Sequence, residues 1–352
     1  MAIVYCSWAT GSDTTGDGTA ANPYQTITKA STSRTAGDEV RVAKSPDPTA
    51  LTGTTAWTLN GTTVTGTDTL FTTELANGDF ISAPDGGWYE VITIGSDTSA
   101  TLYKKYPSAT ASGHTSQKLG VTDTGAASGA TTQIQVVSSS GNSSNFLYIS
   151  GGWNLSTQTQ TGQTWFRQKH TTFNNRNGYG LYIASKSYTN LDKLNFLRYN
   201  NGIYYTSSSN NNTITSATCN SNGSYGIYYG SGSSNNTITS ATCNSNNNSG
   251  IYYGSSNNNT ITSATCNSNT YGIYYGSSSN NNTITSATCN SNSQNGIYYS
   301  SGCNNNTIYA LSTTGNTTAG IYSDNANNIC HSATIAESTK VATGTAYYAN
   351  TR

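Results

Sequence analysis

The chain carries 15 basic and 15 acidic residues in 352, and charged residues make up only 9% of it, against ~25% in an ordinary soluble domain. With no net charge, it has no field to draw in nucleic acid or an anionic membrane surface, and no run of ~18 apolar residues is available to cross a bilayer. Polarity comes from Asn, Ser and Thr; such a composition suits a disordered chain, but Ile and Tyr recur too regularly for one.

The opening "MAIVYCSWATGSD" lacks the basic flank and long apolar core of a secretory signal, so secretion by the general route is not expected. Residues 1–53 contain a Gly/Asp turn, "NPYQTI", a short helix-like "TKAS" and the strand-like "GDEVRVA". Asp13 and Asp17 in "GSDTTGDG" lack the strict spacing of a calcium loop and are read as turn residues. Residues 54–113 change texture: four or five strands separated by "NG", "GTD", "NGD", "DGG" and "GSD" predict a small inserted β-barrel.

From residue 114 to 352 the chain predicts a solenoid, nearly identical from copy to copy between about 200 and 310. The phrase "NNTITSATCNSN" begins at Asn211, Asn235, Asn258 and Asn281, and "GIY" places Ile at 203, 227, 251, 273, 297 and 321. A period of 22–24 residues in which short β-branched runs alternate with Gly, Asn and Ser predicts one coil of a parallel β-helix per copy. Alternation sends Ile214 inward and Thr213 and Thr215 outward, then Ala217 and Cys219 inward after a bend at Ser216. Looser copies extend the array: Leu191, Leu194 and Phe196 stand where later coils have Ile, Ala and Cys, and "GLYI" at Leu181 matches "GIYY". Four of the seven cysteines share one repeat position, which reads as a packing preference rather than a disulfide framework.

The segment "NPYQTI…TKAS…GDEVRVA" resembles the opening of right-handed parallel β-helix proteins of the pectate-lyase-like superfold, where it forms the first coil and an end cap. The insert, "VTGTDTLFTTELANGDFI…YEVITIGSDTSATL", resembles small β-modules of tailed-bacteriophage structural proteins. Together the resemblances imply an all-β, capped right-handed β-helix of the kind found in phage appendages, whether head decoration, head fibre or tail fibre. They imply a virion-surface location, docking to capsid or tail proteins through the N-terminal region, homo-oligomers (trimers being common among β-helix tailspikes) and contact with host surface glycans.

Between Arg198 and Asp324 there is no Asp, Glu, Lys, Arg or His, so that stretch offers no general acid, general base or hard-metal ligand. The acids Asp192, Asp324 and Glu337 lie at its ends. His114, His170 and His331 show no ligand spacing, so no metal or cofactor is expected. The expectation from sequence is therefore a non-enzymatic structural protein, with a tailspike-like polysaccharide depolymerase and an ice-binding β-solenoid as the alternatives. Two outward ladders are the candidate binding surfaces. One is aromatic, Tyr204, Tyr228, Tyr252, Tyr274, Tyr298 and Tyr322, on which sugars could stack. The other pairs Thr213/Thr215, Thr237/Thr239, Thr260/Thr262 and Thr283/Thr285. Its hydroxyls repeat ~6.6 Å along a strand and ~4.8 Å between coils, an array similar to the ice-binding face of insect antifreeze β-solenoids.

Overall fold

A computed structural model of the chain describes residues 2–32, 34–124, 135–168, 176–206, 208–323 and 327–336, with the backbone of 346–348. His170, Asp324 and Glu337 lie outside the described residues. One unit comprises Met1–Ser45, Thr122–Lys169 and Arg176–Arg352; the other comprises Pro46–Val121 with His170–Asn175.

The first unit is a right-handed parallel β-helix. Its longest sheet begins with Ile3–Cys6, Glu39–Ala43, Leu147–Asn154 and Thr189–Asp192, continues through the four "TIT" strands from Thr213–Thr215 to Thr283–Thr285, and ends in Thr307–Thr313, Ile329–Ile335 and Ala346–Tyr348. A second sheet of eight strands carries the "GIYY" phrases from Tyr179–Ile183 to Ala319–Ser323. A third side starts as the strands Thr122–Thr124, Thr164–Gln168 and Leu194–Leu197 and narrows to the single-residue bridges Thr218↔Thr242↔Thr265↔Thr288↔Ser312. Register follows the repeat: Leu191 lies beside Ile214, Ile214 beside Ile238, and Leu181 beside Ile203.

The core is a column of stacked like residues. Ile214, Ile238, Ile261 and Ile284 are fully buried, as are Cys219, Cys243, Cys266 and Cys289, and all four thiols are free. Each buried Ile contributes roughly 1.5–3 kcal/mol. The Gly of "GIYY" is required by close approach: a Cβ on Gly272 would lie 2.4 Å from the Gly296 carbonyl oxygen of the next coil. Corners are made by left-handed residues in columns, Asn211, Asn235, Asn258 and Asn281 at one and Ser216, Ser240, Ser263 and Ser286 at another. Asn suits this backbone; Ser is less expected there.

At the N-terminal end the helix Ile27–Ser31 buries Ile27 and Ala30 in the same core cluster. The Thr26 hydroxyl caps it by accepting from the Lys29 amide. Asp13 is spent on this junction, its carboxylate accepting from the Gln25 and Thr26 amides and the Thr26 hydroxyl.

The second unit is an eight-stranded antiparallel sheet around Trp57, Val64, Phe71, Ile81, Val91 and Tyr106. The strands Thr49–Ala50 and Gln117–Lys118 pair with each other, so the unit reaches past both ends of the 54–113 segment read from its turns. Its strand order is an open path from Thr49–Ala50 to Ala111–His114, with no pairing between those two edges among the described residues. The long strand Trp88–Ser96 shifts register twice along its length, which curls the sheet.

Candidate functional site

Two outward columns run the length of the longest sheet. One is Ile3, Glu39, Tyr148, Asn190, Thr213, Thr237, Thr260, Thr283, Thr307 and Ile329. Two residues along each strand, the other is Tyr5, Arg41, Ser150, Asp192, Thr215, Thr239, Thr262, Thr285, Tyr309 and His331. The Thr ladder is thus the middle of a longer surface whose N-terminal end carries charge and aromatic rings.

At that end an open groove of about 410 Å³ is lined by Glu39, Tyr148, Ser150, Trp153, Gln160, Asp192 and Thr215, among others. The strand "EVRVA" makes Glu39 and Arg41 neighbours on the outer side because Val40 and Val42 fill the core between and beyond them. Arg41 Nε donates to Glu39 Oε2 at 3.0 Å, Arg41 Nη1 donates to the Tyr5 hydroxyl at 3.2 Å, and the guanidinium lies 3.8 Å from the centre of a Trp153 ring. Ser150 Oγ donates to Glu39 Oε1 at 2.9 Å and accepts from Trp153 Nε1 at 2.8 Å.

Trp153 reaches the groove because the register slips between Ser150 and Trp153. Gly151 and Gly152 make that bulge: Gly152 has φ +82°, and a Cβ there would lie 2.0 Å from the Gly162 carbonyl oxygen. Past it, Trp153 and Asn154 pair with Gln160 and Thr159 in a short antiparallel extension. Gln160 Nε2 then donates to both Asp192 Oδ2 and the Gly151 carbonyl at 2.9 Å. Asp192 Oδ1 has no hydrogen bond among the described residues, which leaves it free for a substrate hydroxyl, a water or a glycosidic oxygen. Two carboxylates on one groove are the minimum equipment for acid–base work at a glycosidic bond.

The Tyr ladder differs from its expectation in geometry. Tyr204, Tyr228 and Tyr252 stack nearly parallel at 4.6 and 5.0 Å, Tyr274 turns edge-on to Tyr252 and to Tyr298, and Tyr298 stacks on Tyr322. Tyr225 and Tyr271 fill the spaces beside them. Tyr204 lies between the rings of Tyr179 and Tyr228, and Tyr228 between those of Tyr204 and Tyr252; all six rings of the column are half-buried.

A family model described as "right handed beta helix region" matches residues 159–311. No curated protein compared with the sequence matches it. Among solved structures, the chain is similar to the pectate lyase Pel9A, at 11% identity and a TM-score of 0.50, over 99% of this chain and 78% of that one. It is also similar to an alginate lyase from Paenibacillus sp. str. FPU-7, with 13% identity, a TM-score of 0.44, and 98% and 95% covered. The Dettilon tailspike protein matches with 17% identity, a TM-score of 0.39, and 59% and 48% covered.

The likeness to the pectate lyase, along almost the whole chain, corrects the expectation that the protein is not an enzyme: a scaffold of this kind is one on which a lyase is built. In the sequence Glu39 and Arg41 fall in the opening segment, while Asp192 stands at the edge of the uncharged stretch 199–323. Coiling sets the three within three adjacent strands, although more than 140 residues separate Arg41 from Asp192 in the chain. The signal was present: aligning "DEVRV" with "FLYISG" and "TNLDK" at their inward positions places Glu39, Arg41 and Asp192 on one outer face.

Proposed function

We propose that the protein is a polysaccharide-directed β-helix of the tailspike-like depolymerase kind, with its reactive end at the groove that holds Glu39 and Asp192. The observation that carries this reading is the meeting of two carboxylates with Trp153 and Tyr148 in one open groove on the outer face. Asp192 is the acid–base residue, since one of its oxygens is oriented by Gln160 and the other is unengaged. Glu39, fixed by Arg41 and Ser150, is the second carboxylate, and the aromatic rings give the sugar an apolar platform. The Thr columns that begin at Thr215 carry the rest of the glycan. Placement on a tailed-phage particle, docked through the N-terminal region as an oligomer and facing host glycans, is part of the proposal, and mass spectrometry of purified virions checks it directly.

The test is cleavage of surface polysaccharide from candidate hosts, read as new reducing ends and falling chain length. Asp192→Asn and Glu39→Gln are each expected to lower the rate about 10²–10⁴-fold, the range for loss of a general acid or base, with unchanged circular dichroism. Equal activity in the variants and the parent protein would sink the assignment.

A further inference from the structure

The same surface points to a substrate class, an inference that rests on the polysaccharide reading above: we infer that the glycan is uncharged. The groove lining contains two carboxylates, Glu39 and Asp192, and no basic residue. Arg41, the cation nearest in register, is committed to Glu39 at 3.0 Å and lies on the Trp153 ring. From Thr213 onward the two outer columns present only Thr hydroxyls as far as the strand Thr307–Thr313. They close on Tyr309, 44% exposed and stacked on His331 at 4.9 Å with the rings 9° from parallel.

A polyuronate brings a carboxylate on every sugar. Here it would meet the Asp192 carboxylate and a Glu39 carboxylate whose one cation, Arg41, is already paired, with no Lys or Arg along the columns from Thr213 on, an arrangement that rejects it by like-charge repulsion and uncompensated desolvation. An uncharged glycan asks for what the face supplies: hydroxyls that both donate and accept, repeated ~4.8 Å from coil to coil, with an aromatic platform at each end. From the strand of Arg41 to that of His331 the sheet advances eight strands in register, about 38 Å at the usual strand spacing. The occupant is therefore a polymer lying across the strands rather than a single sugar. In this respect the protein parts from the pectate and alginate lyases whose scaffold it resembles.

Affinity electrophoresis in gels containing dextran, galactomannan, arabinoxylan, polygalacturonate or alginate, at low and high salt, tests the inference. Retention is expected in at least one of the three neutral gels, unaltered by salt, and absent in the two polyuronate gels. Trp153→Ala and the pair Thr239→Leu/Thr262→Leu are each expected to weaken that retention about tenfold, a difference of 1.4 kcal/mol. Introducing cations by Thr239→Lys and Thr262→Lys should create salt-sensitive retention by polygalacturonate. Salt-sensitive retention of the parent protein by a polyuronate would overturn the inference and leave the polysaccharide reading standing. Lack of retention in all five gels would overturn both.

Discussion

Each pair of adjacent asparagines in the repeat does two different jobs. Asn258 takes the left-handed backbone of a corner, while Asn259, next to it, is fully buried. The Asn259 side chain donates from Nδ2 to Asn282 Oδ1 at 3.0 Å and accepts from the Asn236 backbone amide at 2.9 Å and from Asn236 Nδ2 at 3.1 Å. A second ladder, Asn222, Asn246, Asn269, Asn292 and Asn316, runs at another corner, tied in the same way by backbone amides. Buried donors without partners cost about 1–3 kcal/mol each. Asn259→Ala strips the partner from two Asn236 donors, while Asn282 Oδ1 keeps the Asn259 backbone amide, so a loss of roughly 2–6 kcal/mol is expected by urea denaturation, whereas Thr260→Ala on the outer face should stay within about 0.5 kcal/mol. Comparable midpoints for the two variants would contradict the ladder. The corner role of Asn was legible in the sequence, because turn preference is a local property. The buried ladder was not, since it exists only once coils stack and one side chain meets the next coil's backbone.

At the scale of the sheet, the "GIYY" strands put one Tyr outside and the next inside. Tyr205, Tyr229, Tyr253, Tyr275 and Tyr299 are fully buried and stack nearly parallel, their centres 4.5–5.3 Å apart. The hydroxyls of Tyr229, Tyr253, Tyr275 and Tyr299 have no hydrogen-bond partner among the described residues. Burial pushes all five phenols above their ordinary range, because a phenolate in this dry column would lie against its neighbours unsolvated. In the unfolded chain these phenols ionise near pH 10. The folded state thus binds more protons than the unfolded state above that point, so the stability the neutral ring column contributes is intact below about pH 10 and is lost as pH rises beyond it. A single alkaline transition is expected in which tyrosine ionisation, followed by ultraviolet difference absorbance, and loss of β-sheet circular dichroism coincide. Ionisation of these tyrosines at ordinary pH in a chain that keeps its sheet would contradict the buried column. Alternation made the inward Ile and outward Tyr204 predictable, but it left Tyr205 between the core and a corner. Only the width of the core, set by three sides meeting, decides that a second aromatic ring fits inside.

For the whole molecule, coiling turns sequence period into neighbourhood, and so the parts differ in how far they could be read. The middle coils repeat their letters, and fold class, register and faces follow from one copy. The groove holding Glu39, Trp153 and Asp192 is built from three non-repeating strands, Glu39–Ala43, Leu147–Asn154 and Thr189–Asp192, and only their common register unites them. A stack in which each coil touches only its neighbours stores stability as a sum over coils and interfaces, which sets a condition on deletions. Removing residues 235–257 takes out one complete period and rejoins Ser234 to Asn258, so that Ile214 pairs with Ile261, Asn222 with Asn269 and Tyr229 with Tyr275. That protein is expected to keep an unchanged sheet circular dichroism spectrum and to unfold cooperatively, its β-helix shorter by one step of ~4.8 Å. Removing residues 235–246 takes out only part of a period; it sets Ile251 opposite Thr215 on the outer face and Tyr252 and Tyr253 opposite Ser216 and Ala217, and it should abolish cooperative unfolding. Equal tolerance of the two deletions would mean that registry between coils is not what holds the rod together.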